Sequence, residues 1–181
     1  MEIKSLFVIG HRQPAPSASP FYDFAPRAPR AAPSRRNAMT TYLLDVNLLL
    51  ALSDPMHFHH QSAHGWFAEK GQQAWATCPL TENGFIRIAS HPNYPNRPGD
   101  VTAVLAIFRR LCEAPGHHFW SEDISILQIL KPDVIITHAQ ITDVYLLGLA
   151  VHKRGKLATL DQRIPVHAVR GGHKALELII P

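Results

Sequence analysis

Three acidic residues follow predicted strands, where carboxylates commonly serve chemistry in α/β proteins. Asp45 interrupts the apolar stretch 41–52, between a short predicted strand and a predicted helix. Asp161 directly follows a predicted strand over 156–160, and Glu82 lies in the first turn of a helix after another strand. In open parallel sheets, ligands collect just beyond the carboxyl ends of the strands. We therefore expect the three carboxylates to share one rim of a sheet.

A fourth acid, Asp143, lies in a helix that is predicted to begin at Thr137. Thr137 and Gln140 match a capping box, and residues 144–151 are apolar on every side, which indicates a helix packed inside the protein. An ionised carboxylate in such surroundings costs several kcal/mol unless a cation or hydrogen-bond donors compensate it. No arginine or lysine lies one turn away. We therefore predict a metal-binding or catalytic role for Asp143.

Each of these acids also has a structural explanation when it is considered alone. Asp45 is a suitable helix cap, Asp161 a suitable turn residue, and Glu82 a suitable solvated residue on a helix surface. Asp143 would need an arginine partner. Four acids at equivalent ends of the architecture nevertheless favour one shared site. Oxygen ligands in that number favour Mg²⁺ or Mn²⁺ over zinc.

A zinc site is the alternative metal interpretation, because four histidines cluster within eight residues. They are His57, His59, His60 and His64. His60 and His64 lie one helical turn apart, but the segment has no HExxH motif and no cysteine nearby. Cys78 and Cys112 do not form a close-spaced metal pair. We therefore favour a solvated or packing role for the histidines.

The elements that must position these residues alternate between strand and helix along the chain. The predicted strands are 42–44, 73–77, 118–120, 156–160 and 175–180. This alternation predicts an α/β fold: a mainly parallel, twisted sheet of four to five strands with helices on both faces. Ser121 is predicted to open a helix. Gly148 is expected to bring its helix close to the sheet, and Gly155 to end that helix in a left-handed conformation.

The positive charge of the chain is concentrated at its N-terminus. The formal charge is +4 and the pI about 9.3, and residues 1–38 contain six basic residues against two acidic ones, so the remainder is neutral. The same segment has six of the fifteen prolines and no helical or strand period. We predict a disordered Pro/Arg-rich tail, with Met39 as the natural start and a transit peptide as the alternative. Residues 39–181 would form one domain.

The hydropathy pattern gives no reason to expect a membrane protein. No apolar run reaches the roughly 20 residues that a membrane span needs, so we expect a soluble protein without membrane association. Three residues are candidates for contact with a nucleic acid. Tyr94 and Arg97 lie in the proline-rich loop 91–99, where they could stack on a base and meet a phosphate, and Arg87 lies off the apolar face of its helix.

The sequence resembles the PIN-domain ribonucleases, and specifically the VapC-type toxins of bacterial toxin–antitoxin pairs, over about residues 40–180. Four segments carry this resemblance: LLDVNLLLAL, DPMHFHHQSAHGWF, TENGFIRIA and ITDVYLLGLAVHKRGKLATLD. The resemblance assigns the acidic metal-site positions of the family to Asp45, Glu82, Asp143 and Asp161. It assigns polar supporting roles to Asn47 and Thr159. Many relatives carry a further acid after the last aspartate, whereas Gln162, Arg163 and Ile164 follow here, which removes a ligand that a second metal would use.

The resemblance implies a PIN-like fold and a cytoplasmic, Mg²⁺- or Mn²⁺-dependent endoribonuclease. It implies cleavage of a structured RNA to 5′-phosphate and 3′-hydroxyl ends, with a single-stranded loop as the expected site. It also implies a VapB-like antitoxin that inserts a segment into the acidic groove, and a homodimer.

Two other functions fit parts of the sequence. One is a PIN-like module that binds RNA or a partner without catalysis, which the retention of four acids argues against. The other is a phosphatase with Asp45 as nucleophile, but such enzymes need an acid two residues later, where this chain has Asn47.

Overall fold

Residues 39–180 are described by the computed structural model, and they form one parallel sheet with helices around it. The prediction of a disordered tail over 1–38 lies outside the described residues. The strands are β1 (Tyr42–Leu44), β2 (Trp75–Thr77), β3 (His117–Phe119), β4 (Lys156–Thr159) and β5 (Leu176–Leu178). The helices are α1 (Val46–Ser53), α2 (His60–Glu69), α3 (Pro79–Ala89), α4 (Val101–Cys112), α5 (Ile126–Ile129), α6 (Ile141–His152) and α7 (Gly172–Ala175).

The strand order in the sheet is β3-β2-β1-β4-β5, and every neighbouring pair is parallel. This confirms the predicted parallel sheet. The first strand lies at the centre, where Leu43 pairs with Ala76 of β2 and with Leu157 of β4. The carboxyl ends of β1, β2 and β4 are therefore neighbours at one edge of the sheet.

Each face of the sheet is covered by a separate apolar layer, as predicted. Successive residues of a strand point to opposite faces, so Leu43 and Leu44 enter different layers. Leu44 packs with residues of α1 to α4, and Leu43 packs with residues of α5, α6 and α7. Both leucines are fully buried.

The connection before α6 differs from the sequence prediction. Ser121 opens no helix; α5 begins at Ile126, and the Ser125 side chain accepts a hydrogen bond from the Leu127 backbone N–H at 3.3 Å. The capping box of Thr137 and Gln140 is present, but it opens a short 3-10 turn over 138–140 that leads into α6. Ser125 fits the cap position because Gln128, three residues later, completes a capping box by accepting a 3.0 Å hydrogen bond from the Ser125 N–H.

Two glycines in and after α6 have different roles from those predicted. A Cβ at Gly148 would lie 2.6 Å from Ile129 Cγ1, so this glycine lets α6 approach α5 and not the sheet. At the helix end, Arg154 adopts the left-handed conformation with φ 59°. Gly155 is required for space, because a Cβ there would meet the backbone of Thr41 and the ring of Trp120.

Among residues 39–180, no helix combines the length and the apolar character that a transmembrane segment requires.

Candidate metal centre

Asp45 links the central strand to the first helix and is almost buried. It is the N-cap of α1, with extended backbone angles, and its Oδ1 accepts a 2.6 Å hydrogen bond from the Val46 N–H. The residue is 7% exposed. The capping role considered for Asp45 is therefore real, but it uses only one of the lone pairs of Oδ1.

The other carboxylate oxygen of Asp45 connects β1 to β4. Oδ2 accepts a 2.7 Å hydrogen bond from Thr159 Oγ1 and a 2.9 Å hydrogen bond from Asn47 Nδ2. Asn47 Oδ1 in turn accepts from the Leu160 N–H at 3.2 Å, and Thr159 Oγ1 accepts from the Asp161 N–H at 3.0 Å. Asn47 and Thr159 thus hold the ends of two neighbouring strands around one carboxylate, which is the supporting position proposed for them.

Asp161 lies at the end of β4, where Arg163 pairs with it. Arg163 donates to Oδ1 from Nε at 3.1 Å and to Oδ2 from Nη2 at 3.2 Å, and its backbone N–H donates to Oδ1 at 2.8 Å. This pairing lowers the pKa of Asp161. The Arg163 side chain is 87% exposed, and such a solvated ion pair contributes little stability.

Asp143 lies in the first turn of α6, and its negative charge is the one least offset by hydrogen-bond donors or cations. Burial, followed by the negative charges of Asp45 and Asp161, raises the pKa of Asp143 to about 6. Arg163 opposes this rise. Among residues 39–180, no group donates a hydrogen bond to its carboxylate. The effect of Asp45 and Asp161 on Asp143 shows that the three aspartates share one electrostatic environment.

The same effect acts on Asp45. Burial is the main cause that raises the pKa of Asp45, and the charge of Asp161 adds to it, while the hydrogen bonds from Thr159, Val46 and Asn47 act in the opposite direction. Asp161 thus raises the pKa of both other aspartates, and a site with such crowded negative charge favours a cation. Their oxygen atoms do not all fall within 4.8 Å of one another. Both oxygens of Asp161 accept hydrogen bonds from Arg163.

The fourth predicted acid, Glu82, is bonded to a different set of residues. It lies in the first turn of α3, and Thr77 Oγ1, at the end of β2, donates a 2.7 Å hydrogen bond to Glu82 Oε1. His117 Nε2 lies 2.8 Å from the same hydroxyl. Within residues 39–180, Glu82, Cys112 and His117 form the one trio whose ligand atoms all lie within 4.8 Å of one another.

The sequence analysis missed Thr77, although a signal for it was present. Thr77 is the last residue of β2, and Thr159 is the last residue of β4. Both are fully buried, and both donate to a carboxylate beyond the strand end. A threonine at the end of a parallel strand, with an acid in the following segment, is the pattern that would have identified Thr77.

The residues predicted to contact a nucleic acid lie in different environments. The Tyr94 hydroxyl donates a 2.9 Å hydrogen bond to Asp54 Oδ2, so the side chain anchors the loop 91–99. Arg97 is exposed and donates from Nε to the Gly99 carbonyl at 2.6 Å. Arg87 is exposed in the last turn of α3. Contact of these three with RNA stays a prediction.

Two residues of the histidine cluster, His60 and His64, cap the C-terminal end of α1. His60 Nδ1 lies 2.8 Å from the Ala51 carbonyl oxygen, and His64 Nε2 lies 2.9 Å from that of Leu52. Carbonyl groups in the last turn of a helix have no partner within the helix, and these rings supply one. The contacts are those expected from a packing role.

Comparison with known proteins finds close relatives of this chain. No family model matches it. The chain is 42% identical to ribonuclease VapC44 of Mycobacterium tuberculosis over 134 residues, which are 73% of this chain and 94% of that protein. It is 36% identical to ribonuclease VapC38 of the same organism over 140 residues, 76% of this chain and 96% of the relative.

A solved structure agrees with these sequence relatives at the level of the fold. The structure of Mycobacterium tuberculosis VapC20, a toxin that cleaves the sarcin–ricin loop, matches with a TM-score of 0.51 and 10% sequence identity. The match covers 71% of this chain and 96% of VapC20. It confirms the PIN-like fold that the sequence predicted. From its identity to the curated relatives over most of its length, the chain belongs to the VapC ribonuclease family.

Proposed function

We propose that this protein is a metal-dependent endoribonuclease and the toxin of a VapBC-type toxin–antitoxin pair, with residues 39–181 as its nuclease domain. The observation that carries the proposal is the placement of Asp45, Asp143 and Asp161 at one edge of the sheet, close enough that the charges of Asp45 and Asp161 act on Asp143. Three carboxylates at one sheet edge, one of them without a donor among the described residues, are costly unless a cation binds. The ribonuclease relatives supply the class of reaction.

The residues at this edge suit a hard divalent ion. Asp45 keeps a lone pair on Oδ1, Asp143 has both oxygens available among the described contacts, and Asp161 needs only to release a solvated arginine. Oxygen ligands of this kind favour Mg²⁺ or Mn²⁺. When bound, the ion supplies positive charge that stabilises the attacking and leaving oxygens of an in-line displacement.

The protein's own residues would divide the remaining work. Asn47 and Thr159 orient Asp45, so that its free lone pair faces the site. Asp143, whose carboxylate accepts no hydrogen bond among the described contacts, is placed to accept a proton from the attacking water. Glu82 would complete the ligand set after it releases the Thr77 hydroxyl, which lies at the neighbouring strand end. Cleavage in this scheme leaves a 5′-phosphate and a 3′-hydroxyl.

The proposal extends to substrate, partners and location. A structured RNA, cut in a single-stranded loop, would be the substrate, because splayed bases can be read by side chains. Arg87, Tyr94 and Arg97 are the proposed RNA contacts. A VapB-like antitoxin would insert a segment into the groove formed by the aspartates, the active form would be a homodimer, and the protein would act in the cytoplasm.

An RNA cleavage assay on the full chain tests the proposal. Purified protein is incubated with total RNA and Mg²⁺, and the RNA ends are sequenced and tested for 5′-phosphate. We expect site-specific cleavage that a chelator abolishes and added Mg²⁺ or Mn²⁺ restores. The substitutions Asp45→Asn and Asp143→Asn should each lower the rate more than about a hundredfold, since loss of outer-shell partners alone costs 10–100-fold.

The control substitution is Asp100→Asn. Asp100 caps α4 on the opposite side of the sheet from α6, and asparagine caps helices as well as aspartate does. Its activity should be unchanged. Cleavage that survives the chelator or the Asp45→Asn substitution would contradict the metal mechanism. Specific RNA binding without cleavage would instead favour the non-catalytic module.

A further inference from the structure

Glu82, Cys112 and His117 form a group of mixed ligands that the ribonuclease proposal does not use as a unit. They come from α3, from the last residue of α4 and from the first residue of β3. One ligand atom of each lies within 4.8 Å of the others, and each residue is partly buried. The three therefore surround a common space on the α3–α4 side of the sheet edge.

The Thr77 hydroxyl connects two of these three residues. It donates to Glu82 Oε1 at 2.7 Å and lies 2.8 Å from His117 Nε2. With the imidazole proton on Nε2, the ring donates to the hydroxyl and the hydroxyl donates to Glu82, so both contacts are satisfied. His117 also contacts the backbone of Cys112, so the three residues are connected to one another.

A cation bound to His117 Nε2 would replace the proton on that nitrogen. The other ring nitrogen would then carry the proton and could donate it to the Cys112 backbone, the kind of outer-shell bond that orients most metal-binding histidines. The buried Thr77 would keep its hydrogen bond to Glu82 and would orient that carboxylate.

We propose that Glu82, Cys112 and His117 form a binding site for Zn²⁺, separate from the aspartate site. One sulfur, one imidazole nitrogen and one carboxylate oxygen are the ligand types that zinc takes, whereas Mg²⁺ avoids sulfur. Three protein ligands leave a fourth tetrahedral position for water. The three ligand atoms now lie within 4.8 Å of one another, and they must move closer together to bind one zinc ion. Rotation of the carboxylate and thiol side chains can bring about this movement.

Occupation of this site would inhibit RNA cleavage, a consequence that rests on the proposed function. Glu82 cannot serve the Mg²⁺ site while it is bound to zinc beside Cys112 and His117. Zinc would therefore inhibit the toxin without binding to the aspartates.

Cobalt spectroscopy tests the site without any use of activity. Co²⁺ replaces Zn²⁺ in such sites and gives an absorption band from thiolate-to-cobalt charge transfer. We expect this band, at one equivalent of Co²⁺, in the full chain, and its displacement by Zn²⁺. Cys112→Ser should abolish it although Cys78 remains, and His117→Asn should weaken binding about tenfold or more. The matched control is His118→Asn, because His118 is the exposed neighbour on the same strand.

A cleavage assay with Mg²⁺ in excess then tests the consequence. Added Zn²⁺ should inhibit the wild-type chain, and Cys112→Ser should cleave at the wild-type rate without Zn²⁺ but require about tenfold more Zn²⁺ for inhibition. An identical cobalt spectrum in wild type and Cys112→Ser would overturn the site. Equal sensitivity of the two proteins to Zn²⁺ would contradict the proposed inhibition through this site. If no RNA is cleaved under any condition, the ribonuclease proposal fails, and the cobalt spectrum still decides the zinc site.

Discussion

Thr159 Oγ1 donates a 2.7 Å hydrogen bond to Asp45 Oδ2, across 114 residues of sequence and between two neighbouring strands. Both residues are buried, and the same hydroxyl accepts from the Asp161 N–H. One threonine therefore fixes the carboxylate at the end of β1 and the backbone at the end of β4. The geometry of the aspartate site depends on this contact.

Substitution of Thr159 should lower both the stability of the protein and its cleavage rate, although the side chain is small. Thr159→Val keeps the shape of the side chain but removes a donor from a buried carboxylate, so we expect about 1–2 kcal/mol lower stability and 10–100-fold slower cleavage. Thr159→Ser retains the hydroxyl and should recover most of both. Chemical denaturation and cleavage kinetics measure the two effects. Equal loss in the valine and serine variants would show that packing, and not the hydrogen bond, is responsible.

Asp143 should make the folded protein less stable as the pH rises. Its pKa is raised to about 6 from an unfolded value of 3.8, so the folded state holds the proton more tightly and stability falls between about pH 4 and pH 6. Asp143→Asn should remove this fall and stabilise the protein by about 1 kcal/mol at pH 7, a value that discounts the shift for partial exposure. Thermal unfolding at pH 4 and pH 7, without divalent ions, measures it. A variant less stable than wild type at pH 7 would contradict the prediction.

Arg163 should compete with the metal for Asp161. Arg163→Gln frees both oxygens of that carboxylate, so we expect half-maximal cleavage at a severalfold lower Mg²⁺ concentration. Arg170→Gln is the matched control, because Arg170 is another exposed arginine. Cleavage rates over a Mg²⁺ titration give the comparison. Loss of cleavage at saturating Mg²⁺ would instead assign Arg163 to RNA contact.

Tyr94 should contribute to stability through its hydroxyl. Asp54 is 2% exposed and accepts from the Tyr94 hydroxyl, from Asn96 Nδ2 and from the Met56 N–H. Tyr94→Phe removes one donor from this buried carboxylate, and we expect a loss of about 1–2 kcal/mol in the free energy of unfolding. Cleavage by the folded variant should persist, because the ring remains for any base to stack on. If the Tyr94→Phe variant has the same free energy of unfolding as the wild type, the prediction is wrong and water replaces the lost donor.

Local sequence patterns determined the elements and the edge at which the acids gather. Short apolar runs bounded by turn residues encode strands, and helix caps encode where helices begin; both signals act between neighbours in the chain. The parallel sheet, the covering of both its faces and the position of Asp45 and Asp161 at strand ends follow from such signals. The relation of Asp45 to Thr159 does not, since it requires that β4 lie beside β1.

Tertiary packing decided which residues meet at that edge. The sequence shows Glu82 only as an acid in the first turn after a strand, and it does not reveal that Glu82 accepts from Thr77 or lies with Cys112 and His117, which come from a second helix and a third strand. Gly148 packs against Ile129 for the same reason, because α5 was not foreseen as its neighbour. Contacts between residues far apart in the chain depend on strand order and side-chain orientation, and a period of 2 or 3.6 residues carries no information about either.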